Sequence, residues 1–328
     1  SSVEVQDPNN ISEVFTNAYN TSVSGKPGAA FISLPADVLS ETVDRPEMAQ
    51  LQEAEQTQTS SKTLNKIVDM LTHAKLPVIL AGMRASSQPV TDALHQLLAK
   101  VSLPVVETYQ GAGVISHEFE ANYFGRVGLF RNQIGDTLLK KSDLIIALGY
   151  DPVEYEARNW NIEHNDQIIH IDTIAPELTV DYQPDVVIES DIAGTVTALT
   201  NTLPTDYKLS ESAHQNLAKL REEFDGQSDV KTNPKPGTLH PLEIVNTLQK
   251  AVDDDTTVTV DIGSHYIWMA RHFRTYQPRH LLFSNGMQTL GVSLPWAIAA
   301  KLTRPNEKVI SVSGDGGFLF SGQELETA

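Results

Sequence analysis

The sequence contains no cysteine, no long apolar run and few basic residues. Without cysteine, disulfides, thiolate metal sites and cysteine nucleophiles are excluded. The 24 Lys and Arg residues against 42 Asp and Glu residues give a net charge of −18, which disfavours nucleic acid and anionic membranes as partners. No apolar stretch approaches the roughly 20 residues of a membrane span, and the first residues show no signal-peptide pattern. We therefore predict a cytoplasmic protein without nucleic-acid or membrane partners.

What is present indicates a globular chain of more than one domain. The chain has 328 residues, of which 40% are apolar and 7% aromatic, enough for two or three hydrophobic cores. Short apolar strand patterns alternate with amphipathic helical patterns, which is typical of an α/β fold with parallel sheets flanked by helices.

Changes in composition divide the chain into blocks. One helix with Ile11, Val14, Phe15 and Ala18 and one buried strand at 29–34 make the first block, and a helical pattern has just begun at the end of the last one. Neither is complete, so we expect a fragment truncated at both ends. The predicted boundaries are a first block at 1–40, a linker at 41–62, a central domain at 63–203, a second linker at 204–237 and a third block at 238–328.

The strands predicted in the two larger blocks are short and apolar. In the central block they lie at 77–81, 104–107, 144–148, 168–171 and 186–188. The stretch 108–143 lacks a clear period and is interpreted as irregular. In the third block they lie at 257–261, 281–284 and 308–313.

The last of these strands runs into Gly314, Asp315, Gly316 and Gly317, with a helix expected a few residues later. Glycine lets backbone N–H groups approach phosphate oxygens, and a carboxylate is a hard ligand that suits Mg²⁺ or Ca²⁺. Taken alone, the tripeptide 314–316 favours a simple tight turn. Its place after a buried strand favours a metal and diphosphate site.

The other two strand ends of this block are also rich in small and polar residues. Gly263, Ser264 and His265 open a helix whose free N–H groups could bind an anion, although Ser264 could equally be an ordinary helix cap. The segment 284–292 follows the next strand. We predict that the three turns share one edge of a sheet, with the Asp315 carboxylate directed into the gap between them.

These motifs carry a resemblance to a known family. Residues 261–328 resemble the diphosphate-binding domain of thiamine-diphosphate-dependent enzymes, and 285–292 together with 314–320 resemble the catabolic, FAD-independent acetolactate synthases. The resemblance implies that 1–40 is the end of a pyrimidine-binding domain. It also implies that 63–203 is a central Rossmann-like domain with a degenerate nucleotide-binding fold, and that 238–328 begins the diphosphate-binding domain.

The resemblance implies thiamine diphosphate and Mg²⁺ as cofactors. Asp315 matches the metal-binding Asp, and Leu290 matches the residue that holds the cofactor bent. The positions that match cofactor-binding segments of the family are Gly263, Ser264, His265, Gln288, Leu290, Asp315, Gly316 and Gly317. At the position of Gln288 the FAD-containing relatives tend to have a small residue.

The implied reaction joins two pyruvates to 2-acetolactate with loss of CO₂, in a homodimer or homotetramer whose cofactor spans two subunits. The family's activating Glu is expected before Ser1, and a further metal-binding Asn is expected after Ala328. The fragment itself is therefore expected to contain no catalytic residue and to be inactive. Alternatives are a pyruvate oxidase, a 2-oxoacid decarboxylase or a non-catalytic assembly module.

Three residues of the central block raise a separate question. Asp172 ends a strand where a dinucleotide fold would hold a ribose, but residues 80–85 lack the repeated glycines of such a fold. We therefore predict that no FAD is bound.

Arg126 and Arg131 could contact an anion, although structural or interface ion pairs are the favoured interpretation.

Overall fold

The computed structural model describes residues 2–24, 26–43, 58–161, 167–229 and 237–328. The chain divides into two compact units, Ser1–Thr57 and Gln58–Ala328. Within the described residues, no helix combines the length and apolar character needed to cross a bilayer.

The first unit contains a small parallel sheet. Its elements are β1 (Ser2–Glu4), α1 (Ile11–Val23), β2 (Phe31–Ser33) and α2 (Ala36–Leu39), and β1 pairs with β2. The predicted helix and strand are confirmed, but the expectation of a buried strand is wrong. Phe31 is 65% exposed, because a sheet of two strands cannot enclose both of its faces. Most of the predicted linker 41–62 lies outside the described residues.

A six-stranded parallel sheet forms the centre of the second unit. Its order is β5-β4-β3-β6-β7-β8. The strands are β3 (Pro77–Ala81), β4 (Val105–Thr108), β5 (Tyr123–Val127), β6 (Leu144–Leu148), β7 (Gln167–Asp172) and β8 (Val186–Glu189). The predicted α/β class with a parallel sheet is confirmed.

Helices cover both faces of this sheet, which explains why strands such as β3 and β6 are apolar without interruption. They are α3 (Ser61–His73), α4 (Gln88–Lys100), α5 (Ile134–Lys141), α6 (Ile192–Thr202) and α7 (Glu211–Asp225). Ile79 belongs to the core beneath α3, α4 and α6, whereas its neighbour Leu80 belongs to the core beneath α5 and α7. Helix α7 lies within the predicted second linker and buries Ala213 and Leu220.

The interpretation of 108–143 as irregular is wrong, because β5 and α5 both form there. Gly125 and Arg126 interrupt the apolar pattern that identified the other strands. The strand is nevertheless buried, since Arg126 forms an ion pair with Glu107 on the adjacent strand. Only the tertiary contact makes a charged residue compatible with this position.

The third block forms a three-stranded parallel sheet with the order β10-β9-β11. Its elements are α8 (Pro241–Ala251), β9 (Thr257–Val260), α9 (Ser264–His272), β10 (Leu281–Phe283), α10 (Ser293–Thr303), β11 (Val309–Val312) and α11 (Asp315–Ser321). The three predicted strands are confirmed, with small shifts at their ends. Because all are parallel, their carboxyl ends meet at one edge.

Candidate functional site

The turns that follow β9, β10 and β11 lie at the same edge of the sheet. Val260 is paired with Phe283 on one side and with Val312 on the other, so the three strands end level with one another. The predicted convergence of the three turns is therefore confirmed. In open α/β sheets this edge is where ligands bind.

Asp261 connects two of these turns through its buried carboxylate. The carboxylate accepts hydrogen bonds from the backbone N–H groups of Ile262 (2.8 Å), Gly291 (3.0 Å) and Ser293 (3.3 Å). The residue is fully buried. No role was predicted for Asp261, although an acidic residue directly after an apolar strand was the available signal.

The third turn packs directly over this carboxylate. A Cβ atom added to Gly317 would lie 2.9 Å from both Cγ and Oδ1 of Asp261, so only glycine permits this approach. Helix α11 begins at Asp315 itself rather than a few residues later, which corrects the predicted boundary and places Gly316 and Gly317 in its first turn. The Asp315 side chain is exposed.

His265 lies between two of the strand ends. Its ring is 2.8 Å from the point where a Cβ of Gly263 would lie and 3.2 Å from that of Gly314. Gly263 has φ +155°, a conformation that L side chains rarely adopt, and it rather than Ser264 is the N-cap of α9. The alternative reading of Ser264 as the helix cap is therefore wrong.

The ionisation of His265 depends on its partial burial. Burial lowers the pKa of the imidazole, and the nearby Asp261 opposes this shift through its charge and a main-chain hydrogen bond. The Nε2 atom is buried and has no hydrogen-bond partner among the described residues. A bound group or an ordered water molecule would satisfy this atom.

The turn after β10 is anchored at Asn285. This buried side chain accepts a hydrogen bond from the Tyr266 hydroxyl (2.8 Å) and donates one to the main-chain oxygen of Glu154 (2.8 Å). Gln288 and Leu290 follow it and are exposed, and Gln288 has a left-handed backbone (φ +49°). The turn is thus fixed at its base while these two side chains remain accessible.

A cavity of about 300 Å³ adjoins this turn. Gly286 and Gln288 line it on the side of this turn. Arg131 and residues 153–156 of the loop after β6 are among the residues that line it from the central block. Arg126 and Arg131, the two arginines considered as anion contacts, therefore differ in their surroundings. Arg131 is an exposed cavity residue, whereas Arg126 is buried in an ion pair with Glu107, which confirms its structural interpretation.

Glu154 is one of the residues that line this cavity, and it is almost completely buried. Its carboxylate accepts hydrogen bonds from the Thr108 hydroxyl and from the backbone N–H groups of Met83 and Asp151. Burial nevertheless dominates and raises the pKa of Glu154 to about 7. This carboxyl group therefore changes charge near neutral pH.

At the equivalent edge of the central sheet, the Arg84 guanidinium forms an ion pair with the Asp172 carboxylate. Its Nε and Nη2 atoms donate to Asp172 at 2.8 and 2.6 Å, and its Nη1 donates to Asp151 at 3.2 Å. The acid that a dinucleotide fold would offer to a ribose is thus paired within the protein. That no FAD is bound stays a prediction.

No cluster of three or more His, Asp or Glu side chains suited to a metal occurs in the part of the chain that the structure describes. Asp261 is also unsuitable as a metal ligand, because its oxygens accept three backbone hydrogen bonds and face Gly317. Asp315 is the carboxylate at this edge that remains accessible, and its metal-binding role stays a prediction.

Comparison with known families agrees with this architecture. Residues 64–199 match the thiamine pyrophosphate enzyme central domain, and residues 261–328 match the C-terminal TPP binding domain of the same enzymes. The chain belongs to the thiamine pyrophosphate enzymes. Both matched ranges fall inside the predicted blocks 63–203 and 238–328, whose outer boundaries stay predictions.

Curated proteins that are similar to this chain include several acetolactate synthases. The acetolactate synthase of Bacillus subtilis (strain 168) is 46% identical over 327 residues, and the catabolic acetolactate synthase of Raoultella terrigena is 38% identical over 326. A probable acetolactate synthase large subunit of Methanococcus aeolicus is 30% identical over 346 residues. The alignments cover 99 to 100% of this chain but only 57 to 58% of these relatives.

The close approach of α11 to Asp261 can be tested with two neighbouring glycines. Gly317→Ala should lower the free energy of unfolding by about 1–3 kcal/mol, since the new methyl group would overlap the carboxylate. Gly316→Ala is the matched control, because no atom lies within 4 Å of its added Cβ, and it should raise that free energy by up to about 1 kcal/mol. Urea denaturation measures both, and equal effects would contradict the packing described here.

The raised pKa of Glu154 predicts a pH-dependent stability. The folded protein binds the Glu154 proton more tightly than the unfolded chain does. The contribution of this protonation to the free energy of unfolding is therefore full below about pH 4.5 and is lost as the pH rises through about 7. Glu154→Gln should therefore gain stability relative to the unsubstituted protein over this range, by about 3 kcal/mol. Urea denaturation at each pH measures the difference. The exposed Glu177→Gln is the control, and a difference independent of pH for Glu154→Gln would contradict the assignment.

Proposed function

We propose that the whole protein is an acetolactate synthase that uses thiamine diphosphate and Mg²⁺. Two pyruvate ions and one proton would give one 2-acetolactate ion and one CO₂. The observation that carries the proposal is the joining of three strand-end turns around Asp261, with accessible glycines and an exposed carboxylate at the rim. The names of the similar proteins support the choice of reaction.

The residues at this edge fit a diphosphate group. A Cβ added to Gly316 or Gly286 would meet no atom within 4 Å, so their backbones face open space. The buried Nε2 of His265 lacks a partner among the described residues. The first turns of α9 and α11 offer backbone N–H groups, which favour anions.

Each predicted site residue has a proposed part in holding the cofactor. Gly263, Ser264 and His265 would contact the diphosphate from the turn after β9, and Gly316 and Gly317 would contact it from α11. Asp315 would bind Mg²⁺ as a hard oxygen ligand. Gln288 and Leu290 are exposed on the remaining turn, where they would contact the organic part of the cofactor.

When bound, thiamine diphosphate supplies the carbon nucleophile and the electron sink that decarboxylation of a 2-oxo acid requires. The chain's own part at this edge is binding and orientation. Asp261 connects the turns after β9 and β10 through its hydrogen bonds. Gly317 allows the turn after β11 to pack against them. The Nε2 atom of His265 is available to a phosphate oxygen, and the negative charge of a diphosphate would favour the protonated ring.

The wider assignments follow from the same proposal. Pyruvate is the proposed substrate, the whole protein is proposed to be a homodimer or homotetramer, and a cytoplasmic location is proposed from its composition. An activating Glu outside this chain is part of the proposal, since the site residues named here bind cofactor rather than react.

The reaction is tested on the full-length protein supplied with pyruvate, thiamine diphosphate and Mg²⁺. We expect one CO₂ and one acetolactate for every two pyruvates consumed, together with uptake of one proton. Asp315→Asn should lower the rate about a hundredfold or more, because the metal would lose its charged ligand. Gas release, product chromatography and a pH-stat measure the balance. Acetyl phosphate with peroxide, or a free aldehyde, would instead indicate a pyruvate oxidase or a decarboxylase.

The position of the cofactor is tested by Gly316→Ala. Because no protein atom lies within 4 Å of the added methyl group, any loss of affinity for thiamine diphosphate reports a clash with the cofactor itself. We expect the Kd to rise about tenfold or more. Calorimetric titration in the presence of Mg²⁺ measures it. Gly226→Ala, whose Cβ also meets no atom within 4 Å, is the control, and equal affinities of the two variants would argue against the proposed position.

A further inference from the structure

Arg126 joins the central sheet to the sheet that carries the candidate site. It lies on β5 opposite Glu107 of β4, and its Nε donates to the Glu107 carboxylate at 3.0 Å. Its Nη1 donates to the main-chain oxygens of Ala270 (3.0 Å) and Phe273 (2.7 Å). A single buried guanidinium therefore holds the carboxyl-terminal end of α9 against the central sheet.

Two further arginines hold the same end of α9. Arg271 donates from Nη2 to the main-chain oxygen of Leu129 and to the Asn132 side chain. Arg274, just beyond the helix, stacks on the Tyr123 ring, with 3.4 Å between its Cζ and the ring centroid. The last carbonyl groups of a helix lack internal partners and carry partial negative charge, so guanidinium groups are well suited to this end.

The opposite end of α9 carries the residues proposed to bind the diphosphate. The helix has nine residues and is about 14 Å long, so a shift at one end displaces the other. Near its start, Tyr266 also donates a hydrogen bond to Asn285 in the turn after β10. The orientation of Gly263 and His265 therefore depends on where the far end of the helix is held.

We propose that Arg126 is a positioning residue for the cofactor: it fixes α9 so that Gly263, Ser264 and His265 present their polar groups to the diphosphate. This inference rests on the proposed function. Arg126 itself is buried, so it acts through the helix and does not contact the cofactor.

The contacts of Arg126 with Glu107 and Tyr123 indicate that a contribution to stability alone does not explain why an arginine is buried here. A buried ion pair is often no more stable than apolar residues of similar volume. Here the Arg126 Nη2 and the Tyr123 hydroxyl are buried without a hydrogen-bond partner among the described residues, which costs further free energy. What the guanidinium provides, and an apolar side chain could not, is a directional link from Glu107 to the carbonyl oxygen of Ala270 in α9 and to that of Phe273, directly after the helix.

Arg221 offers a matched control for this role. Its Nη1 also donates to two main-chain oxygens, those of Glu120 (2.6 Å) and Tyr123 (2.8 Å). These contacts connect α7 to the segment around β5 and do not involve α9. Arg126→Lys and Arg221→Lys therefore each keep a positive charge and lose a comparable pair of hydrogen bonds, but only the first should loosen α9.

The experiment uses the full-length protein and two measurements. Hydrogen–deuterium exchange without cofactor should be faster in peptides covering 261–269 for Arg126→Lys and unchanged there for Arg221→Lys. Calorimetric titration with thiamine diphosphate and Mg²⁺ should give a Kd about tenfold higher for Arg126→Lys and near the unsubstituted value for Arg221→Lys. Arg271→Lys, at a partly exposed position on the same helix end, should show the same two changes to a smaller degree. If Arg126→Lys does not fold, the same two measurements on Arg271→Lys test the proposal.

The outcomes separate the two proposals. If the unsubstituted protein does not bind thiamine diphosphate, the proposed function is contradicted. If it binds, and the folded Arg126→Lys variant matches Arg221→Lys in both exchange and affinity, the positioning role of Arg126 is overturned. Faster exchange in 261–269 together with weaker binding supports it.

Discussion

The buried carboxylate of Asp261 is the interaction on which the candidate site depends. It collects backbone N–H groups from its own turn and from the turn after β10, and it forms the surface against which Gly317 seats α11. An unpaired buried carboxylate would be costly, so the turns that satisfy it are held in one arrangement. The accessible groups at the rim, among them Asp315 and Gly316, are positioned as a consequence.

The central sheet supports this arrangement without supplying the site's rim. Arg126 holds the end of α9, and the main-chain oxygen of Glu154 accepts the hydrogen bond that anchors Asn285. The same sheet has the strand order of a nucleotide-binding fold, yet Arg84 pairs with Asp172 at the edge where a ribose would be held. The central domain thus contributes structural support to the candidate site through Arg126 and Glu154.

Much of this could be predicted from the sequence, and the exceptions have a common cause. Apolar strands such as Pro77–Ala81 and the turn at Gly314 were recognisable because local pattern and local chemistry coincide. Strand β5 was missed because Gly125 and Arg126 interrupt its apolar pattern, and the burial of Arg126 is possible only beside Glu107. The role of Asp261 was missed because two of its three hydrogen bonds reach a turn thirty and thirty-two residues further along the chain.

The amino-acid sequence by itself determined the α/β class, the parallel strands, the three glycine-rich turns and the resemblance to thiamine-diphosphate enzymes, since each is written in residues that are neighbours along the chain. Tertiary structure alone decided which carboxylate is buried and which is accessible, where His265 lies between Gly263 and Gly314, and which arginine supports α9. The physical reason is that burial and hydrogen-bond partners are set by residues distant in sequence. Only the folded sheet brings them together.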